Sequence, residues 1–388
     1  MIVLQDIVRE KPDAVFIWRT DMASMEEFTP DRLRAIGEQV ARDLFRSEDS
    51  PEDGREPNGI REAFVIKPNI GGGPRPDEDP AAYRPRPGES TNVHVVRGLI
   101  EVLQSLGASD GRITITEGRS NLDLSRTFLY SGYARMAEET GVHLINNSRD
   151  PYQPDELNWA TLEEGVVTKE MPIVRPVNDP GTRLINIATM KAHGLVIATL
   201  CVKNLQGLVA YKYKHFCSSL EAIEEGRAGY DPEVCSHFRP NLRRILEPGL
   251  RRHRAEDPDW DLVDELYANR ACDSLLAIHP MINIVEGILA RTGTGYRRGE
   301  DVLANTLVAG INPVHVDAVT TFLMGHDPSK PNYLRLARER GFGTNDPDEI
   351  ETYFWTDEGP VRCERLSDVD RLAIGVYRRG DDSKALFV

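Results

Sequence analysis

Apolar runs of strand length alternate with amphipathic stretches along the first 150 residues, and the alternation predicts strand, helix, strand. Ala14–Trp18 is one such run. Pro30–Phe45 repeats its apolar residues at helical spacing behind Thr29, a residue type that caps helix starts. A polar stretch then leads to Ala63–Ile66, a short buried strand running into Lys67-Pro68-Asn69-Ile70-Gly71-Gly72-Gly73. Residues 74–88 are rich in Pro, Asp, Glu and Arg and predict a long surface loop suited to serve as a lid. Val95–Leu106 predicts a helix stopped by Gly107, and Ile113–Thr116 a strand delivering Glu117-Gly118-Arg119. Tyr133–Thr140 predicts a helix and Val142–Asn146 a strand. Further on, Leu184–Met190, Met281–Val285 and Thr306–Gly310 look like buried strands, with a helix from Pro313 through Phe322.

Strands joined by helices predict parallel pairing, because the crossover helix returns the chain to the same edge direction. The expected fold is therefore α/β: mainly parallel sheet with flanking helices, plus a largely helical insertion. The division read from the pattern is an N-terminal extension packed on the core over residues 1–60 and a first α/β half over 61–211. A charged helical insertion or cap follows over 212–275, then a second α/β part over 276–388 that completes the site.

Composition narrows the function classes. The 388 residues carry a formal net charge of −15, which argues against nucleic acid or an anionic membrane as the partner. No run approaches the roughly 18 apolar residues of a membrane helix, and the N-terminus lacks a basic stretch followed by an apolar core, so the expected location is cytoplasmic. The five cysteines are widely spaced without a Cys-x-x-Cys pair, which disfavours a disulfide framework, a structural zinc site and an intrinsic iron–sulfur cluster.

The chemistry concentrates where polar residues interrupt apolar ones. Lys191, His193, Lys203 and Asn204 fall within an otherwise apolar stretch, with Lys191 and His193 expected at or just after the end of the Leu184–Met190 strand. A cation drawn into such surroundings needs compensation, and an anionic ligand would supply it. In open α/β sheets ligands collect at strand ends. Lys67, Asn69, Gly71 and Gly72 follow another strand, where glycine lets backbone N–H groups approach a ligand; Arg119 follows a third, and Lys212 and His215 lie just beyond the central segment. The expected catalytic set is Lys191, His193, Lys203 and His215, with Lys67, Asn69, Gly71, Gly72, Arg119, Asn204 and Lys212 binding substrate. His193, Glu117, Glu286 and Asp317 are the side chains available to a divalent metal.

These residues resemble the domain of unknown function 362 family of bacteria and archaea. The matching stretches are Ile66-Lys67-Pro68-Asn69, Glu117-Gly118, Lys191-Ala192-His193, Val202-Lys203-Asn204-Leu205-Gln206-Gly207 and Lys214-His215. Ile284-Val285-Glu286-Gly287 and the run from Ala309 through Val319 complete them. Many members carry a ferredoxin-like cysteine segment, which this chain lacks. Glu286 stands where the family usually has Asp, Gly293-Thr294-Gly295 replaces a Gly-Pro pair, and residues 216–275 are longer than the usual connection.

The leading expectation is an enzyme binding a small carboxylate or phosphate metabolite in a Lys/His-lined cleft, with proton-transfer, lyase or hydrolytic chemistry. The alternatives are a non-catalytic accessory protein holding a metal, metallocofactor or ligand, and a metal-dependent redox enzyme drawing on an external electron donor. The cofactor stays open, with a divalent metal as the candidate. A homodimer or a partner enzyme is the expected protein contact.

Overall fold

A computed structural model describes residues 1–48, 62–74, 79, 83, 86–108, 111–118, 124–148, 152–167, 170–210, 260–295, 298–378 and 381–388. Arg119, Lys212 and His215 lie outside the described residues, as do residues 212–259 of the expected insertion.

Ten strands form one sheet: β1 (Val15–Arg19), β2 (Ala63–Pro68), β3 (Ile113–Glu117), β4 (His143–Asn146), β5 (Thr182–His193), β6 (Ile197–Thr199), β7 (Ile282–Arg291), β8 (Asp301–Gly310), β9 (Thr352–Thr356) and β10 (Gly359–Arg362). Their spatial order is β10-β9-β1-β8-β7-β5-β2-β3-β4, with β6 turned back on β5 as a hairpin. The block β7-β5-β2-β3-β4 is parallel throughout. β8 runs antiparallel between β7 and β1, so residues 15–19 sit within the sheet and restore the common direction. β9 lies parallel to β1, and β10 turns back on β9. The fold is thus α/β, with a mixed sheet dominated by parallel strands and helices packed on both faces.

Alternation along each strand sends side chains to opposite faces. Phe64, Ile66, Ile113, Ile115, Ile185, Ile187, Ile282 and Ile284 bury against helices α1 (Pro30–Leu44), α2 (Val93–Ser105), α3 (Leu124–Tyr130) and α4 (Tyr133–Thr140). Val65, Leu184, Ala188, Met190 and Val285 face the other layer, made of α5 (Cys201–Asn204), α6 (Trp260–Leu275), α7 (Pro313–Leu323) and α8 (Asn332–Glu339). The helices start where the sequence supplies caps: Thr29 accepts from Arg32 N, and Asn92 accepts from His94 N, which sets the start of α2 at Val93 rather than at the expected Val95. Gly37 and Gly98 let α1 and α2 touch through their backbones, since a Cβ on either would fall 2.1 Å from a carbonyl oxygen of the other helix.

One strand departs from its expected bounds in a way that matters for the site. β5 runs to His193 instead of ending near Met190, because its last residues pair with β6, Lys191 opposite Thr199 and His193 opposite Ile197. Lys191 therefore lies inside a strand and is fully buried. Among the described residues no helix is long and apolar enough to cross a membrane.

Candidate functional site

Two strand ends supply a buried ion pair. β2 places Lys67, and β3, its parallel neighbour, places Glu117; the ammonium lies 3.0 Å from Glu117 Oε1. Lys67 Nζ also donates to Pro68 O at 2.6 Å and Asn204 Oδ1 at 2.9 Å, so three acceptors meet its three N–H bonds. Burial pulls the Lys67 pKa down, the Glu117 charge opposes that, and the nearby Lys203 charge adds to it. Glu117 is engaged on both oxygens as well, accepting from Ile70 N and Gly118 N. The compensation expected from a ligand comes here from the protein's own carboxylate. Gly207 is what makes room: a Cβ there would lie 2.3 Å from Lys67 Cε and 2.7 Å from Glu117 Oε1.

A row of asparagines continues from this pair under α5. Lys67, Asn186 and Asn283 are in register across β2, β5 and β7. Asn186 donates to Asn283 Oδ1 at 2.8 Å and to Cys201 O at 3.0 Å, while Asn204 donates to Asn186 Oδ1 and to Lys67 O. Sequence reading passed over Asn186 and Asn283, although each interrupts an isoleucine pair in the same way, Ile185-Asn186-Ile187 and Ile282-Asn283-Ile284. An amide inside an apolar strand must find partners, so the repeated triplet is a usable signal.

Asn69 carries the network over the sheet edge. Its Nδ2 donates to Asn204 Oδ1 at 3.3 Å, and its Oδ1 accepts from Lys191 Nζ at 2.7 Å. Lys191 also donates to Glu89 O at 2.9 Å, and Gly71 packs against that contact with no space for a side chain. The backbone N–H groups of Gly71 and Gly72, expected to face a ligand, both donate to Ser90 Oγ at 2.9 Å. Lys67 and Lys191 thus fix the 68–72 loop, Lys191 against Glu89.

The carboxylates assigned to a metal do other work. Glu286 accepts from Asn92 N at 3.1 Å and Ile288 N at 3.0 Å, holding the segment that opens α2. Asp317 accepts from Cys201 N and Val202 N, at 2.8 and 3.0 Å, and holds the start of α5 on the opposite face of the sheet. Burial lifts each of these two acids to about 7, with the backbone N–H bonds pulling the other way. His193 is half-buried and its Nδ1 accepts from Leu195 N and Val196 N, so it pins the β5–β6 turn and leaves Nε2 as the nitrogen that carries hydrogen. Lys203 lies over the Tyr267 ring, 5.2 Å from its centroid. His193, Glu117, Glu286 and Asp317 are not brought together, and among the described residues no three His, Cys, Asp or Glu side chains group as a metal site requires.

Among the described residues, one open space lies beside this network. A cleft of about 290 Å³ is lined by Gly72, Ser90, Thr91, Asn92, Val93 and His94. Tyr83, Tyr130, Phe28, Pro30 and Leu33 also line it, with Arg86, Pro87 and Ser131 completing the lining. The buried residues shape its polar wall: Thr91 accepts from Asn69 N and donates to Ile187 O, and Glu286 holds Asn92. Arg86 pairs with Glu89 at 3.2 Å. Burial, then the Arg97 charge, pulls the His94 pKa down, so its imidazole is neutral at pH 7. Arg86 and His94 carried no periodic or motif signal, because the cleft is assembled from loop residues and a helix start.

No curated protein matches this chain. Among solved structures, a structural-genomics crystal structure of a protein from Thermotoga maritima is similar at 13% identity and a TM-score of 0.26, over 65% of this chain and 60% of that one. The chain thus spans about 60% of that protein's length. A family model described as a domain of unknown function (DUF362) matches residues 65–322, a span holding the Lys67–Glu117 pair, Lys191, Asn204, Glu286 and Asp317. With two thirds of its length matched, this chain belongs to the DUF362 family.

Proposed function

We propose that the protein is an enzyme that binds a small carboxylate or phosphate in the cleft beside α2 and moves a proton on it, in a lyase, hydrolytic or isomerising step. The observation that carries this reading is the composition of the cleft wall. It joins a guanidinium, Arg86, an imidazole, His94, and the start of a 13-residue helix on a polar network with few degrees of freedom. A guanidinium presents paired donors to a carboxylate or phosphate, and a helix start favours negative charge. Neutral His94 can accept a proton at pH 7, as a general base must. In this reading Lys67, Lys191, Glu117 and Glu286 are positioning residues that hold the wall, and they act through the 68–72 and 89–92 segments.

Calorimetric titration of the full chain with acetate and inorganic phosphate tests it. One of these anions should bind, and Arg86→Ala should weaken that binding about ten-fold or more, as loss of a charge-assisted bond of 1.5–3 kcal/mol implies. If neither anion binds, or if Arg86→Ala binds as the parent does, the anion reading fails.

A second reading is a non-catalytic accessory protein. It draws support from the lysines, whose hydrogen bonds go to protein oxygens rather than into the cleft.

A further inference from the structure

Resting on the anion site just described, we infer that the ligand is an aromatic acid with a single ring: an aryl carboxylate or aryl phosphate. The cleft lining is of two kinds. Arg86, Ser90 and His94 offer hydrogen bonds, whereas Tyr83, Tyr130 and Phe28 offer ring faces and edges. Tyr83 and Tyr130 meet edge to face, with centroids 5.9 Å apart at 68°, so one ring's edge already lies against the other's face and a third ring can join the same arrangement. An inorganic anion or a short aliphatic acid would leave these rings wetted and unused.

Size narrows the class further. A cavity of about 150 Å³ lined by apolar side chains takes up one benzene. The 290 Å³ here holds one such ring, its anionic group and a further small substituent. The ligand's ring would pack against the Tyr83–Tyr130 pair from the cleft, with its anionic group toward Arg86.

Equilibrium titrations of the full chain with acetate, inorganic phosphate, cyclohexanecarboxylate, benzoate and phenyl phosphate test the inference. Benzoate or phenyl phosphate should bind at least ten-fold more tightly than its non-aromatic counterpart, and the tighter of the two identifies the anionic group. Tyr130→Ala and Tyr83→Leu should each reduce that advantage, read as the ratio of aromatic to non-aromatic affinity within the same variant, and two separate variants guard against one failing to fold. If cyclohexanecarboxylate matches benzoate, and phenyl phosphate gains nothing over phosphate, the aromatic class is wrong while the anion site stands. If none of the five binds, both readings fall.

Discussion

Replacing Lys67 by Met would keep most of the apolar stem and remove the ammonium from a site where Glu117 Oε1 lies 3.0 Å away and both side chains are nearly inaccessible to water. The Glu117 carboxylate would retain its bonds from Ile70 N and Gly118 N but face the interior without its counter-charge. Breaking one side of a buried pair costs about 3–5 kcal/mol. Pro68 O would lose its 2.6 Å donor, whereas Asn204 Oδ1 would keep Asn69, so the expected loss sits inside that range rather than beyond it. Urea unfolding followed by tryptophan fluorescence and far-ultraviolet circular dichroism measures it. Adding Glu117→Gln to the Met variant should return about 1–3 kcal/mol, because the stranded charge is removed while an acceptor remains. The reasoning is refuted if the Met variant is within about 1 kcal/mol of the parent, or if the second substitution lowers stability further. Either result would mean the pair contributes little beyond what exposed ion pairs do.

Gly207→Ala should destabilise by about 1–3 kcal/mol through overpacking, since its Cβ would lie 2.3 Å from Lys67 Cε; an unchanged melting temperature would show that the lysine stem can bend away at no cost. Glu286→Gln tests the buried acid. In the folded chain this carboxyl holds its proton to about 7 instead of the ordinary 4.5, so the stability it contributes is full below pH 4.5 and is lost as pH rises through 7, a change of about 3 kcal/mol. The parent-minus-variant stability difference should decline by that amount between pH 4.5 and 8, and a pH-independent difference would contradict the assignment. Arg86→Ala should cost the proposed anion affinity about ten-fold by calorimetry, with no matching loss of thermal stability, because Arg86 is a partly exposed side chain and its pair with Glu89 is not the one that holds the loop.

The sequence by itself determined the class of fold and the strand ends that matter. Buried strands at Ala63–Ile66, Leu184–Met190 and Thr306–Gly310 were legible because apolar residues of strand-forming type cluster over lengths that helices do not use. Thr29 announced α1 through its cap, and the polar residues that break apolar runs, Lys67, Glu117, Lys191 and Asn204, announced themselves by their cost. What compensates them was decided only by the tertiary structure. Lys67 finds Glu117, 50 positions away, because β2 and β3 pair in parallel and so bring the ends of the two strands side by side. The same holds for Asn186 and Asn283, whose amides meet only when β5 and β7 align. Lys191 was expected at or just after the end of its strand and is inside it, since pairing with β6 extends β5 past the point where local propensity ends. Glu286 and Asp317 looked like metal ligands and instead hold helix starts on opposite faces. The cleft gathers residues from positions 28–33, 72–94 and 130–131, and no local pattern marks them. Hydrophobic periodicity encodes which face of an element is buried, but hydrogen-bond partners are set by register and crossover, and those depend on the packing of the whole sheet.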